Sequence, residues 1–99
     1  MTRLSLLGNA KADFDTAFGW YCERSEAAAI RFMEATVESL TAVSQDPHRF
    51  AQLDEIHRQS RIKRFPYHIV FRVDGDRIFV VAIAHHSRRP DYWRPPTNP

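Results

Sequence analysis

The chain has 99 residues, 43% of them apolar and 26% charged, which is the composition of one ordinary globular domain and is enough for a single modest core. The formal net charge of +2 conceals a split. Residues 1–57 carry five bases against nine acids, net −4, and residues 58–99 carry nine bases against three acids, net +6, so the second half predicts a basic face for an anionic partner, an acidic protein segment or no partner at all.

In chain order, Arg3–Leu7 is short and apolar and predicts a first strand. Its L-S-L-L stretch is too brief for a signal-peptide core, and no apolar run nears the roughly 20 residues that span a bilayer. Gly8-Asn9 breaks the strand, with Asn9 placed to cap a helix. Phe14, Ala17, Phe18 and Tyr21 then recur at helical spacing as one apolar stripe. Cys22 is the only cysteine; it fits a reducing cytoplasm and reads as a small buried hydrophobe. Ser25 caps a second helix that runs from Ala27 to about Ser44. Its core stripe is expected at Ile30, Met33, Val37 and Leu40, widened by Phe32, Ala35 and Val43. The short link predicts an antiparallel helical hairpin, closed where Asp46 precedes Pro47.

The run from His48 to Glu55 reads as a loop pinned by Phe50 and Leu53. Ile56–Arg64 predicts a strand with one wet face, on which Arg61 and Lys63 lie together. Phe65-Pro66 marks a bulge or a new start, and Tyr67–Val73 is rich in strand formers. Asp74-Gly75 is a hairpin signal. Ile78–Ala84 is apolar on both faces and predicts an interior strand. From Pro90 onward four prolines exclude regular structure. The fold class is therefore α+β, in the order β-α-α-β-β-β, with a helical hairpin on a small antiparallel sheet. Residues 1–93 make a single domain and residues 94–99 a proline-rich tail.

Several side chains are candidates for chemistry. His85 and His86 are adjacent at a strand end, so they point to opposite faces and do not chelate one ion together. No metal site and no cofactor are expected. Either histidine reads as a neutral hydrogen-bonded group or as an acid or base at the strand tip. Arg88 and Arg89, with Arg61, Lys63 and Arg64, form a guanidinium-rich set suited to phosphate or carboxylate, although no glycine loop cradles a nucleotide. Tyr92 and Trp93 suit stacking on bases or, as preferred here, anchoring the tail to its own domain.

Four stretches in this order and spacing, AKADFDTAFGWYCERS (10–25), DPHRF (46–50), KRFPYHIVFRVDGDRI (63–78) and VVAIAHHSRRPDYW (80–93), resemble the RelE/ParE superfamily of toxins from toxin–antitoxin (plasmid stabilisation) modules. The resemblance covers about Leu4 to Trp93 and implies the same α+β fold. It also implies a cytoplasmic toxin, no membrane, and a cognate antitoxin that is acidic, partly disordered and folds on binding. The superfamily has two branches. A RelE-like protein is a metal-independent, ribosome-dependent endoribonuclease that uses the RNA 2′-hydroxyl as nucleophile; here its set would be Arg61, Lys63, His85, Arg88 and Tyr92. A ParE-like protein inhibits DNA gyrase and needs no catalysis. The first helix, His68 and the A-H-H-S segment are more similar to that second branch. Binding of target or antitoxin would then fall to Arg58, Arg61, His68, Arg72, His86, Arg89 and Trp93. A third possibility is a non-toxic binding module of the same fold.

Overall fold

The N-terminal L-S-L-L stretch becomes an edge strand, β1 (Arg3–Leu6). In the computed structural model, which describes residues 3–89 and 91–94, it pairs parallel with β5 (Arg77–His85), Leu4 opposite Ile78 and Leu6 opposite Val80. Parallel neighbours need a long connection. Here that connection contains α1 (Gly8–Arg24), α2 (Glu26–Gln45) and three further strands, β2 (Ala51–Gln52), β3 (His57–Arg61) and β4 (Tyr67–Asp74). The sheet order is β1-β5-β4-β3-β2. The α+β reading holds, with one refinement: the sheet is mixed, because β1 joins in parallel while β2 to β5 are antiparallel.

Both helices cover one face. Ala17 is buried on α1, and Phe14 and Tyr21 pack beside it, as their spacing predicts. Phe32 lies at the centre, its ring 5.6 Å from Phe14, 5.2 Å from Tyr21 and 5.3 Å from Phe65. Ile69 and Phe71 of β4 and Ile78, Val80 and Ile83 of β5 complete this core. The predicted stripe of α2 is corrected. Ile30, Met33 and Val37 are 45%, 41% and 55% exposed, and the buried face is Ala29, Phe32, Thr36, Ser39 and Val43. The helix is rotated so that small side chains meet the sheet, and Ser39 Oγ bonds Ser60 Oγ on β3 at 2.9 Å.

Other boundaries also shift. Leu7, not Asn9, precedes α1, and no side chain caps that helix. Ser25 does cap α2, accepting from the Ala28 N–H at 3.2 Å. Cys22 is exposed, because it follows Tyr21 around the helix and leaves the buried stripe. The expected loop at 48–55 contains a 3-10 turn, Pro47–Arg49, and the short β2. The strand expected to reach Arg64 stops at Arg61. Arg64 adopts φ +73, a left-handed conformation that a strand cannot hold, and Phe65 N–H closes the turn onto the Ile62 carbonyl. Gly75 takes φ +61 in the β4–β5 hairpin, which glycine tolerates without a Cβ penalty. The proline-rich tail lies outside the described residues, except for Arg94.

A bulge at Val81 breaks the β4–β5 register: Val70 faces Ala82, and Phe71 faces Val80. It lets Val80 and Ile83 both reach the helical side while Ala82 joins Val70 on the other face.

Candidate functional site

The second face of the sheet has no helix over it, and strand alternation decides which side chains it displays. Val70 belongs to it, so His68, Arg72 and Asp74 of β4 do too. Their partners across the ladder follow. Arg61, Gln59 and His57 come from β3, Ala84, Ala82, Phe79 and Arg77 from β5, and Arg3 and Ser5 from β1. Cations therefore dominate this face. The Arg72 guanidinium stands 4.8 Å over the Phe79 ring and Arg77 lies 5.8 Å from the same ring. Among the described residues no carboxylate is within ion-pair distance of Arg61, Arg72 or Arg77.

The segment after β5 returns over this face. Trp93 is 8% exposed and packs on Val70 and Ala82, its ring 4.6 Å from His57. Two carboxylates fasten the segment. Asp13 of α1 accepts the Tyr92 hydroxyl at 2.7 Å and the Ile83 N–H at 3.0 Å, on a stretch of β5 that runs past the end of β1. Asp54 accepts the N–H groups of Ile56 and His57 at 2.7 and 2.6 Å and meets Arg94 at 2.6 Å. These bonds, the His57 N–H first, hold the Asp54 carboxyl far below its usual range although burial opposes them. The Tyr92 phenol is pushed well up by burial, then by the hydrogen bond to Asp13 and its charge.

The predicted site residues separate into groups. His68 and His86 come together, rings 5.5 Å apart, and burial followed by the His86 neighbour lowers the His68 pKa. His85 points the other way as expected, its ring edge-on to Tyr67 at 4.9 Å and its Nδ1 taken by the Ser87 N–H and hydroxyl. Arg88 lies 3.9 Å over the Tyr92 ring. Arg58 points to the helical side and donates to the His48 and Phe50 carbonyls at 3.1 and 2.7 Å, so its guanidinium holds the 3-10 turn. Arg61 and Lys63 do not share a face. Arg61 ends β3 on the open side, and Lys63 sits in the following turn beside Arg31, Glu34 and Glu38 of α2. Sequence reasoning missed Asp13, Asp54, Arg77 and Arg94 as parts of this surface. For Asp13 the signal is a partner distant along the chain, which local pattern does not contain; Asp54 bonds the nearby Ile56 and His57 N–H groups, and only its Arg94 partner is distant.

Between the returning segment and the N-terminus of α1 lies a groove of about 1010 Å³. Leu7, Val81 and Trp93 give it an apolar floor, and Arg72, Arg89 and Arg94 give it charge. Among the described residues no group of three or more His, Cys, Asp and Glu side chains is placed to share a metal ion.

The family model described as ParE toxin of type II toxin–antitoxin system, parDE, matches residues 4–90. The chain belongs to the ParE toxin family. Family relatives include the toxin named ParE2 of Mycobacterium tuberculosis strains CDC 1551 / Oshkosh and H37Rv, 24% identical over 90 residues, spanning 90% of this chain and 86% of theirs. A solved structure described as a chromosomal ParDE TA system from P. aeruginosa superposes with a TM-score of 0.75 at 24% identity, covering 86% of this chain and 96% of that one. The ParE fold thus accounts for the helical hairpin and the five strands, and membership in a toxin–antitoxin family implies a cognate antitoxin. No helix among the described residues is long and apolar enough to cross a membrane.

Proposed function

We propose that this ParE-family toxin acts by binding DNA gyrase in the cytoplasm and blocking replication, without a chemical step of its own. The observation that carries the reading is the dispersal of the ribonuclease set. Metal-free RNA cleavage needs its acid, base and charge-stabilising groups around one phosphate. Lys63 lies beside α2, away from Arg61. The Tyr92 hydroxyl is committed to Asp13 and its ring to Arg88. His85 is engaged by Ser87. Binding a protein target makes no such demand, and the open cationic face suits an acidic surface.

The antitoxin would be an acidic, partly disordered protein that folds on this toxin and neutralises it. The test is supercoiling of relaxed plasmid by purified gyrase with and without the toxin, run beside message integrity in induced cells. Inhibited supercoiling with intact messages is expected. Unaffected gyrase with cut messages would establish the ribosome-dependent nuclease instead, and neither effect, with unchanged growth, a non-toxic binding module.

A further inference from the structure

The outer side of α2 carries an apolar row that the fold leaves uncovered. Ile30, Met33 and Val37 are 45%, 41% and 55% exposed. Their helical spacing lines them up as one strip about 10 Å long. A contiguous apolar strip in water marks a contact surface. The charges beside it are of both signs. Arg31, Glu34 and Glu38 lie on one flank of α2, and Lys63 and Arg64 of the β3–β4 turn line the same groove. Among the described residues none of these five side chains is in an ion pair. An acidic protein segment would meet Glu34 and Glu38 there, and so would an anionic lipid surface. A flank of mixed charge beside an apolar strip suits a partner with the same arrangement.

We infer that α2 packs antiparallel on the α2 of a second copy of this chain. A two-fold dimer makes every contact twice, residue i on j and j on i. In an antiparallel helix pair the same flank of both helices meets. With the two-fold axis at the level of Glu34, Ile30 lies opposite Val37 of the second copy and Arg31 lies opposite its Glu38. Met33, with a flexible and polarisable side chain, fills the middle of the strip. Glu34 comes near its own symmetry mate, and Lys63 and Arg64 of both copies supply the countercharge. A strip of this length belongs to the small end of specific interfaces, so the dimer is expected to dissociate at micromolar concentrations. The helices cover the other side of the sheet from Arg61, Arg72 and Arg77, so the pairing leaves the cationic face open.

The test is sedimentation equilibrium of the whole chain over a range of concentrations. A reversible monomer–dimer equilibrium is expected. Val37→Glu, a change at an exposed helical position, should weaken the dimer at least about tenfold, with thermal unfolding checking that the variant folds like the parent. Arg31→Glu and Glu38→Arg each set like charges opposite one another and should each weaken the dimer several-fold. Mixed in equal amounts, these two variants should form a heterodimer as tight as the parent dimer, because opposite charges then face each other across both contacts. Only the antiparallel register makes that rescue. The sequence has two methionines, so a methyl-labelled Met33 gives a signal that should shift as the chain concentration rises. A chain monomeric up to about 1 mM, a dimer indifferent to Val37→Glu, or a mixture no tighter than its components would each overturn the inference. So would a Met33 signal that shifts with phosphatidylglycerol vesicles or with the co-expressed antitoxin while the chain stays monomeric, since the strip would then belong to that occupant. Gyrase takes no part in sedimentation, so this result and that of the supercoiling test stand or fall separately.

Discussion

Asp13 and Tyr92 show how one residue pair fixes a surface. The Asp13 carboxylate occupies the Ile83 N–H on β5 beyond the end of β1 and also takes the phenol that fastens the returning segment. It therefore protects a strand edge and holds the segment carrying Trp93. The phenol's pKa is raised above its ordinary 10.0, so the folded state keeps the proton more tightly than the unfolded chain. A raised pKa contributes stability that is fully present below pH 10 and is lost as pH climbs toward the folded value. Tyr21 and Tyr67 are raised in the same direction, mainly by burial, so alkaline destabilisation is shared. Tyr92→Phe should cost about 1 kcal/mol at neutral pH and should show a smaller further loss than the parent above pH 10. Denaturant midpoints of both proteins across the alkaline range measure this. Asp54 works in the opposite sense. Its lowered pKa gives stability present above 3.8 and lost as pH falls, and the Arg94 contact weakens with it.

At the scale of elements, α2 is attached to the sheet by more than apolar packing. Ser39 and Ser60 are 8% and 6% exposed and share one hydrogen bond between helix and strand. Replacing Ser60 alone by alanine strands the Ser39 hydroxyl and should cost about 1–3 kcal/mol, whereas the double alanine variant should recover most of that loss. A double-mutant cycle in urea reads the coupling. This contact also explains why α2 turned away from its most obvious stripe. Ile30, Met33, Val37 and Leu40 recur at helical spacing, but so do Ala29, Phe32, Thr36, Ser39 and Val43. Periodicity says that a helix has a buried face; where two sets compete it does not say which. The set with one large ring and several small side chains lets the helix approach β3 closely, and close packing decides. Stripe residues left outside form an exposed apolar row on the helical side, opposite the cationic sheet face.

Over the whole molecule, the charge split in the sequence becomes a split in space only in part. Arg61, Arg72 and Arg77 gather on the open face, but Arg58 turns inward to backbone carbonyls and Lys63 goes to α2. The open face should therefore attract acidic partners through a field that salt screens, with a Debye length of about 10 Å at 0.1 M. Association with a fluorescein-labelled poly-glutamate chain should slow as sodium chloride rises, with much less change in the dissociation rate. Stopped-flow anisotropy at several salt concentrations checks this, and a salt-independent association rate would contradict it.

The sequence by itself determined the inventory of this ParE-family protein: a helical hairpin, strands around a Gly75 turn, an apolar β5 and histidines at its end. Each of these rests on spacing within a few residues, where backbone geometry leaves little choice. Tertiary structure alone decided the rest. Tyr92 meets Asp13 across 79 positions, β1 runs parallel to β5, the Val81 bulge resets which side chains face outward, and α2 shows its second stripe to the core. These outcomes depend on which surfaces pack most closely and which buried polar groups find partners, and both are properties of segments brought together rather than of any segment read alone.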